Sequence, residues 1–180
     1  PSTLTIIGNE ALRNNELTNL AIPSSVKIIG NYAFSGNKLT SLTIPSSVET
    51  IGSHSFYGNI LTSLTIPASV ETIGERAFDW NKLTSVTIPA SVETIGDAAF
   101  STNLLTTINF EPNSKLKTIG YDAFEDNRLA SVTIPSSVET IGAGAFSHNL
   151  LTTINFEPNS KLKTIGGSAF EYTKLTNVTI

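Results

Sequence analysis

Pro67-Ala68-Ser69-Val70-Glu71-Thr72-Ile73-Gly74-Glu75-Arg76-Ala77-Phe78-Asp79-Trp80-Asn81-Lys82-Leu83-Thr84-Ser85-Val86-Thr87-Ile88 is one period of the chain, and the residues on either side repeat it. A unit this short cannot bury its own apolar side chains. It becomes stable only by stacking on copies of itself, so the repetition outranks every local signal. Aligned on the leucine after Asn-Lys, the copies place Leu17, Leu39, Leu61, Leu83, Leu105, Leu129, Leu151 and Leu175 in one column, at steps of 22, 22, 22, 22, 24, 22 and 24 residues. The whole chain, 1–180, then reads as one domain of eight units: 1–22, 23–44, 45–66, 67–88, 89–110, 111–134, 135–156 and 157–180. The framing suits a block cut from a longer array or a designed scaffold.

Inside the unit, Val86 and Ile88 alternate with small polar residues, which predicts a short strand with one face in the core. Pro89 ends it, because proline has no N–H for a ladder. Val92-Glu93-Thr94-Ile95 predicts a second short strand, and Asp97-Ala98-Ala99-Phe100 a turn or 3₁₀ piece. The expected fold is a repeat solenoid, a β-rich coil with a parallel sheet on one face and short turns or 3₁₀ segments on the other. Seven steps at a strand spacing of about 4.8 Å give roughly 35 Å of solenoid.

Two near-copies of a 46-residue pair, 89–134 and 135–180, carry the same two-residue insertion within Glu111-Pro112-Asn113-Ser114-Lys115 and Glu157-Pro158-Asn159-Ser160-Lys161. An insertion that leaves the flanking apolar pattern intact belongs in a surface loop. Three further columns read as structure. Phe34, Phe56, Phe78, Phe100, Phe124, Phe146 and Phe170 plug the core. Asn15, Asn37, Asn59, Asn81, Asn103, Asn127 and Asn149 satisfy backbone groups at each turn. Gly8, Gly30, Gly52, Gly74, Gly96, Gly120, Gly142 and Gly166 are expected to supply turn geometry that other residues resist.

The pattern Leu83-Thr84-Ser85-Val86-Thr87-Ile88, followed by the equivalent of Pro67 to Asn81, resembles the BspA-like leucine-rich repeat, and the resemblance runs through all eight units. It implies a leucine-rich-repeat solenoid on a bacterial cell surface, used in adhesion or partner binding. Two departures stand out. The family often carries cysteine where this chain has its asparagine column. The better-known leucine-rich pattern also puts asparagine where Ser47, Ser69 and Ser91 stand here.

Composition narrows the chemistry. The net charge of −4 lacks the basic face of a non-specific nucleic-acid binder, so no nucleic acid is expected as partner. No run approaches the about 20 apolar residues that span a bilayer, so no membrane insertion is expected. With no cysteine, thiolate nucleophiles and thiolate metal sites are excluded. His54 and His148 fall in different columns four units apart and cannot share a metal. No catalytic group, metal or cofactor is expected, and the chain reads as a non-enzyme. The charged column Lys27, Glu49, Glu71, Glu93, Lys117, Glu139 and Lys163 reads as a solvated face.

The functional reading comes from differences among the units. Core columns barely change, while the positions around Ala-Phe vary. There Tyr32, His54, Arg76, Tyr57 and Trp80 stand where other units carry small or polar residues. Exposed aromatics and arginine are favoured interface anchors, so these five are the candidate ligand-binding residues. The expected function is a non-catalytic module that binds a protein or glycan partner at the cell surface or outside the cell. The alternative is a structural spacer or a scaffold that associates end to end.

Overall fold

The computed structural model describes residues 2–179; Pro1 and Ile180, the outer ends of the expected first and last units, lie outside the described residues. Among the described residues fourteen short strands follow one another: β1 Ile6–Ile7, β2 Ile28–Ile29, β3 Ser41–Thr43, β4 Thr50–Ile51, β5 Ser63–Thr65, β6 Thr72–Ile73, β7 Ser85–Ile88, β8 Thr94–Ile95, β9 Thr107–Phe110, β10 Thr118–Ile119, β11 Ser131–Ile134, β12 Thr140–Ile141, β13 Thr153–Phe156 and β14 Thr164–Ile165. All pairings are parallel and join copies one unit apart, as Thr72 meets Thr94 and Ile73 meets Ile95. No helix among the described residues is long and apolar enough to cross a membrane. The Ala-Phe segments are turns throughout, not 3₁₀ helix.

The continuous sheet lies on the second strand of the unit. β1-β2-β4-β6-β8-β10-β12-β14 form one eight-stranded ladder, while the Leu-Thr strands pair only two by two, β3 with β5, β7 with β9 and β11 with β13. The glycine column explains the difference. A Cβ built on Gly74 would lie 2.7 Å from the Gly52 carbonyl carbon, and one on Gly96 2.7 Å from the Glu75 nitrogen. These glycines are therefore needed for close approach of consecutive coils, beside the Thr-Ile strands, and not for a left-handed turn. None of the eight has a positive φ. The Leu-Thr side has no such column, and there the strand ladder is interrupted although main-chain bonds such as that from the Lys82 N–H to the Leu61 carbonyl still join the coils.

The core is a set of stacked columns. Phe34, Phe56, Phe78, Phe100, Phe124 and Phe146 are fully buried. Consecutive rings from Phe34 to Phe170 lie 5.3 to 5.5 Å apart, with planes within 14° of parallel. That is the offset stack favoured by aromatic quadrupoles. Leu39, Leu61 and Leu83 are buried in adjacent coils, with Ile60 and Lys82 N–H groups donating to the Leu39 and Leu61 carbonyls. Serine hydroxyls tie coil to coil as well: Ser47 donates to the Val26 carbonyl and Ser69 to that of Val48, at 2.7 and 2.6 Å.

Both insertions project on the surface, with Asn113 and Asn159 at φ 60° and 61°. Their glutamates fold back. Glu111 accepts from the Ala90 N–H at 3.0 Å and Glu157 from the Ser136 N–H at 2.9 Å. In the charged column Lys117 donates to Glu93 and Lys163 to Glu139, both at 2.6 Å, and each lysine holds its glutamate below the usual carboxylate range. All four side chains are solvated, so these pairs add little stability.

Candidate binding ledge

Each coil turns its corner through two residues with positive φ, four positions apart. The pairs are Glu10 and Asn14, Tyr32 and Gly36, His54 and Gly58, Arg76 and Trp80, Ala98 and Thr102, Asp122 and Asp126, Gly144 and His148, and Ser168 and Tyr172. Only three of these sixteen positions are glycine, although a left-handed conformation costs other residues roughly 1–2 kcal/mol. The backbone holds them there by two interleaved sets of bonds. The Tyr32, Phe34 and Gly36 N–H groups donate forward to the Ser53, Ser55 and Tyr57 carbonyls of the next coil. Between them, Ala33 and Ser35 close turns back to Gly30 and Tyr32. Two of the variable columns of the sequence, those of Tyr32-His54-Arg76 and of Trp80, are thus the left-handed columns, while the column of Tyr57 lies between them at ordinary φ. Their side chains are free to differ because the geometry is set by main chain.

The five predicted residues lie on three successive coils at this corner. The rings of Tyr32 and His54 stack at 4.4 Å, and His54 meets Tyr57 at 5.8 Å. Arg76 pairs with Asp79 at 3.3 Å on the following coil. Trp80 makes no ring contact with the others. It stands one coil beyond Tyr57, joined to it through the Gly58 N–H, which donates to the Asp79 carbonyl at 3.0 Å. Tyr32, His54 and Tyr57 are half-buried, so of the five only Trp80, 58% exposed, and Arg76 stand fully at the surface. Tyr121 and Tyr172, 60% and 68% exposed, are barer aromatics than any of the chosen ones. Tyr172 packs against His148 at 4.5 Å at the far end of the same corner.

Two members of the ledge escaped the sequence reading. Arg13 places its guanidinium 4.8 Å from the Tyr32 ring centre, a cation–π contact that extends the Tyr32–His54 stack by one coil. Asp79 is the other. Its column holds Ser35, Tyr57, Ser101, Glu125, Ser147 and Glu171 on other coils, and only the serines there are as buried as Asp79, so the sequence carried no clear signal of a buried carboxylate. Its side chain is 2% exposed, one oxygen faces Arg76, and Oδ1 has no partner. Burial raises it from the ordinary 3.8 to about 6, against the opposing pull of Arg76. Burial also holds His54 below its ordinary value, with Glu75 pulling the other way and Arg76 and Arg13 adding to the effect. Among the described residues no three His, Asp or Glu side chains are grouped to hold a metal.

The raised Asp79 makes stability depend on pH in a definite direction. The fold favours the protonated acid, so its contribution is complete below about pH 4 and is lost as pH rises through about 6. Asp79→Ser, the residue used by neighbouring coils, removes that loss. Relative to the parent, the variant should gain about 1–2 kcal/mol between pH 4 and pH 7, less than the full shift implies because solvent near Arg76 screens the charge. Thermal melts followed by circular dichroism at the two pH values check this. An equal offset at both would show that the carboxylate is not the source.

The BspA type Leucine rich repeat region matches residues 5–116 and 71–180, with six copies of its unit. This chain belongs to the BspA-type leucine-rich repeat family. Among solved structures, a leucine-rich repeat protein from Bacteroides ovatus ATCC 8483 is similar at 29% identity and a TM-score of 0.79, over 98% of this chain and 47% of that one. The pneumococcal vaccine antigen PcpA is similar at 26% identity and a TM-score of 0.64, over 87% of this chain and 37% of its own. The BspA-type chain described here therefore spans less than half of either solved protein. No curated protein sequence matches it.

Proposed function

We propose that this BspA-type solenoid is a non-catalytic interaction module displayed on a bacterial surface, and that it captures its partner on the left-handed corner. The observation that carries this reading is the gathering of Tyr32, His54, Tyr57, Arg76 and Trp80 on three consecutive coils of one edge, at positions where most other coils hold small or acidic residues. Tryptophan, tyrosine and arginine are the residues that dominate binding energy at interfaces. The similarity to a pneumococcal antigen supports bacterial-surface association.

The test uses substitutions the chain already tolerates elsewhere in the same columns: Tyr32→Ser as at Ser168, Tyr57→Ser as at Ser101, and Trp80→Thr as at Thr102. The triple variant should fold like the parent and lose at least about tenfold in capture on arrays of matrix proteins and glycans, a change of about 1.4 kcal/mol. Equal capture by parent and variant would remove this corner as the binding face.

The second reading, a stacking unit, is favoured by an apolar hollow of about 390 Å³ on the first coil, lined by Leu4, Ile6, Ile7, Leu12, Leu20 and Phe34 among others. It predicts a mass that grows with concentration in light scattering.

A further inference from the structure

We propose that copies of this chain stack head to tail, the last coil of one on the first coil of the next, in the register that the repeat already uses inside the chain. This rests on the reading of the chain as a stacking unit, and it names the partner and the joint.

The first coil carries fittings that no described residue uses. Inside the chain the Ile-Gly glycines allow close approach: a Cβ on Gly30, Gly52, Gly74 or Gly96 would lie 2.6 or 2.7 Å from an atom of the preceding coil. Gly8 stands in the same column, also without a positive φ, and a Cβ there meets nothing within 4 Å. Asn15 is idle in the same way. Asn37, Asn59 and Asn81 each accept from the leucine N–H of the coil before, at 3.0 or 3.1 Å. Asn15 Oδ1 has no donor among the described residues, and its Nδ2 reaches only the Arg13 carbonyl. Both residues sit beside the apolar hollow of the first coil.

The last coil supplies what is missing. In register the donor for Asn15 is the Leu175 N–H, which has no acceptor among the described residues. The Ile119 and Ile141 carbonyls accept from the Gly142 and Gly166 N–H groups, both at 2.8 Å. The Ile165 carbonyl lacks such a donor, and the Gly8 N–H is its counterpart. Ile165 is 38% exposed where Ile141 is 0%. Phe170 stacks on Phe146 at 5.5 Å but is only half-buried, so one ring face stays bare. Leu12 holds the same column on the first coil, 40% exposed, and fits against that face.

Charge favours a second copy over any other apolar partner. The shared columns set Glu171 against Arg13 and Lys174 against Glu16, and all four side chains are exposed. Neither Glu171 nor Lys174 has an ion-pair partner among the described residues. Lys38 and Glu16, one coil step apart in that same column, already pair at 3.2 Å, so Lys174 would repeat a contact the fold makes. No two like charges share a column across the joint. Such an interface is heterologous, so it leaves a free head and a free tail and extends beyond a dimer. It covers neither edge of the solenoid, and the corner runs on from copy to copy.

Light scattering of the whole chain should show a mass that climbs past that of a dimer as concentration rises. Gly8→Ala puts a methyl into open space in the single chain, so at low concentration it should melt like the parent. In the stack the methyl meets main chain of the docked coil, and association should fall at least about tenfold. Lys174→Glu and Glu16→Lys should each weaken stacking about two- to fivefold, and an equimolar mixture of the two should restore it. Growth that survives Gly8→Ala, or a mixture no better than either variant alone, overturns this joint and leaves stacking to another face. A single-chain mass at every concentration overturns the stacking reading as well.

Discussion

Asn103→Ala should destabilise the solenoid by about 3–5 kcal/mol, although it removes only a small polar side chain. Asn103 is 6% exposed. Its Oδ1 accepts from the Leu83 N–H of the preceding coil at 3.0 Å. Its Nδ2 donates to the carbonyls of Phe78 at 3.0 Å, Phe100 at 3.2 Å and Ser101 at 3.0 Å. The loss falls unevenly on these partners. Phe78 keeps the bond from Asn81 and Phe100 the bond from Asn127, at 3.1 and 3.0 Å. Ser101 keeps the bond from the Trp80 N–H. The Leu83 N–H keeps nothing. An orphaned buried N–H costs about 1–3 kcal/mol, and the weakened carbonyls and the void add the rest. Asn103→Asp should be comparably harmful, because an oxygen would then face the Phe78 carbonyl. Urea melts check both. A loss below about 1 kcal/mol for Asn103→Ala would mean the coils are not held by this ladder.

The second large effect separates two kinds of glycine. Gly96→Ala should cost more than about 3 kcal/mol, because the new methyl would lie 2.7 Å from the Glu75 nitrogen, 2.8 Å from the Gly74 carbonyl carbon and 2.9 Å from the Ile73 oxygen. All three are main-chain atoms of the preceding coil, so the only relief is to pry the coils apart, breaking the 2.9 Å bond from the Gly96 N–H to Ile73. Gly58→Ala meets no atom within 4 Å but sits at φ +63°, so it should cost only about 1–2 kcal/mol. The reverse order of the two would show that turn geometry, not coil contact, places glycine in the Ile-Gly column.

The asparagine and phenylalanine ladders were legible in the sequence because each column is nearly invariant within the chain and each has a packing or bonding duty that one residue type meets best. Phe100 and Asn103 could be placed from the alignment of units alone. The corner was not legible in the same way. Left-handed backbone is ordinarily announced by glycine, yet Arg76, Trp80, His54 and Tyr32 occupy it here because forward hydrogen bonds between coils impose the geometry whatever the side chain. Asp79 was hidden for a related reason. Its column looked variable, with Tyr57, Glu125 and Glu171 beside three serines, and only the packing of its own coil buries the carboxyl of Asp79.

Read alone, the 22- and 24-residue period determined the coil, its direction of stacking, its core columns and its family, since all of these follow from which residues recur and how far apart. Tertiary structure alone decided which strand forms the unbroken sheet, which glycines hold the coils together, and which variable side chains meet. Those outcomes depend on how closely one coil's backbone approaches the next, a distance of a few ångströms that no spacing along the chain encodes.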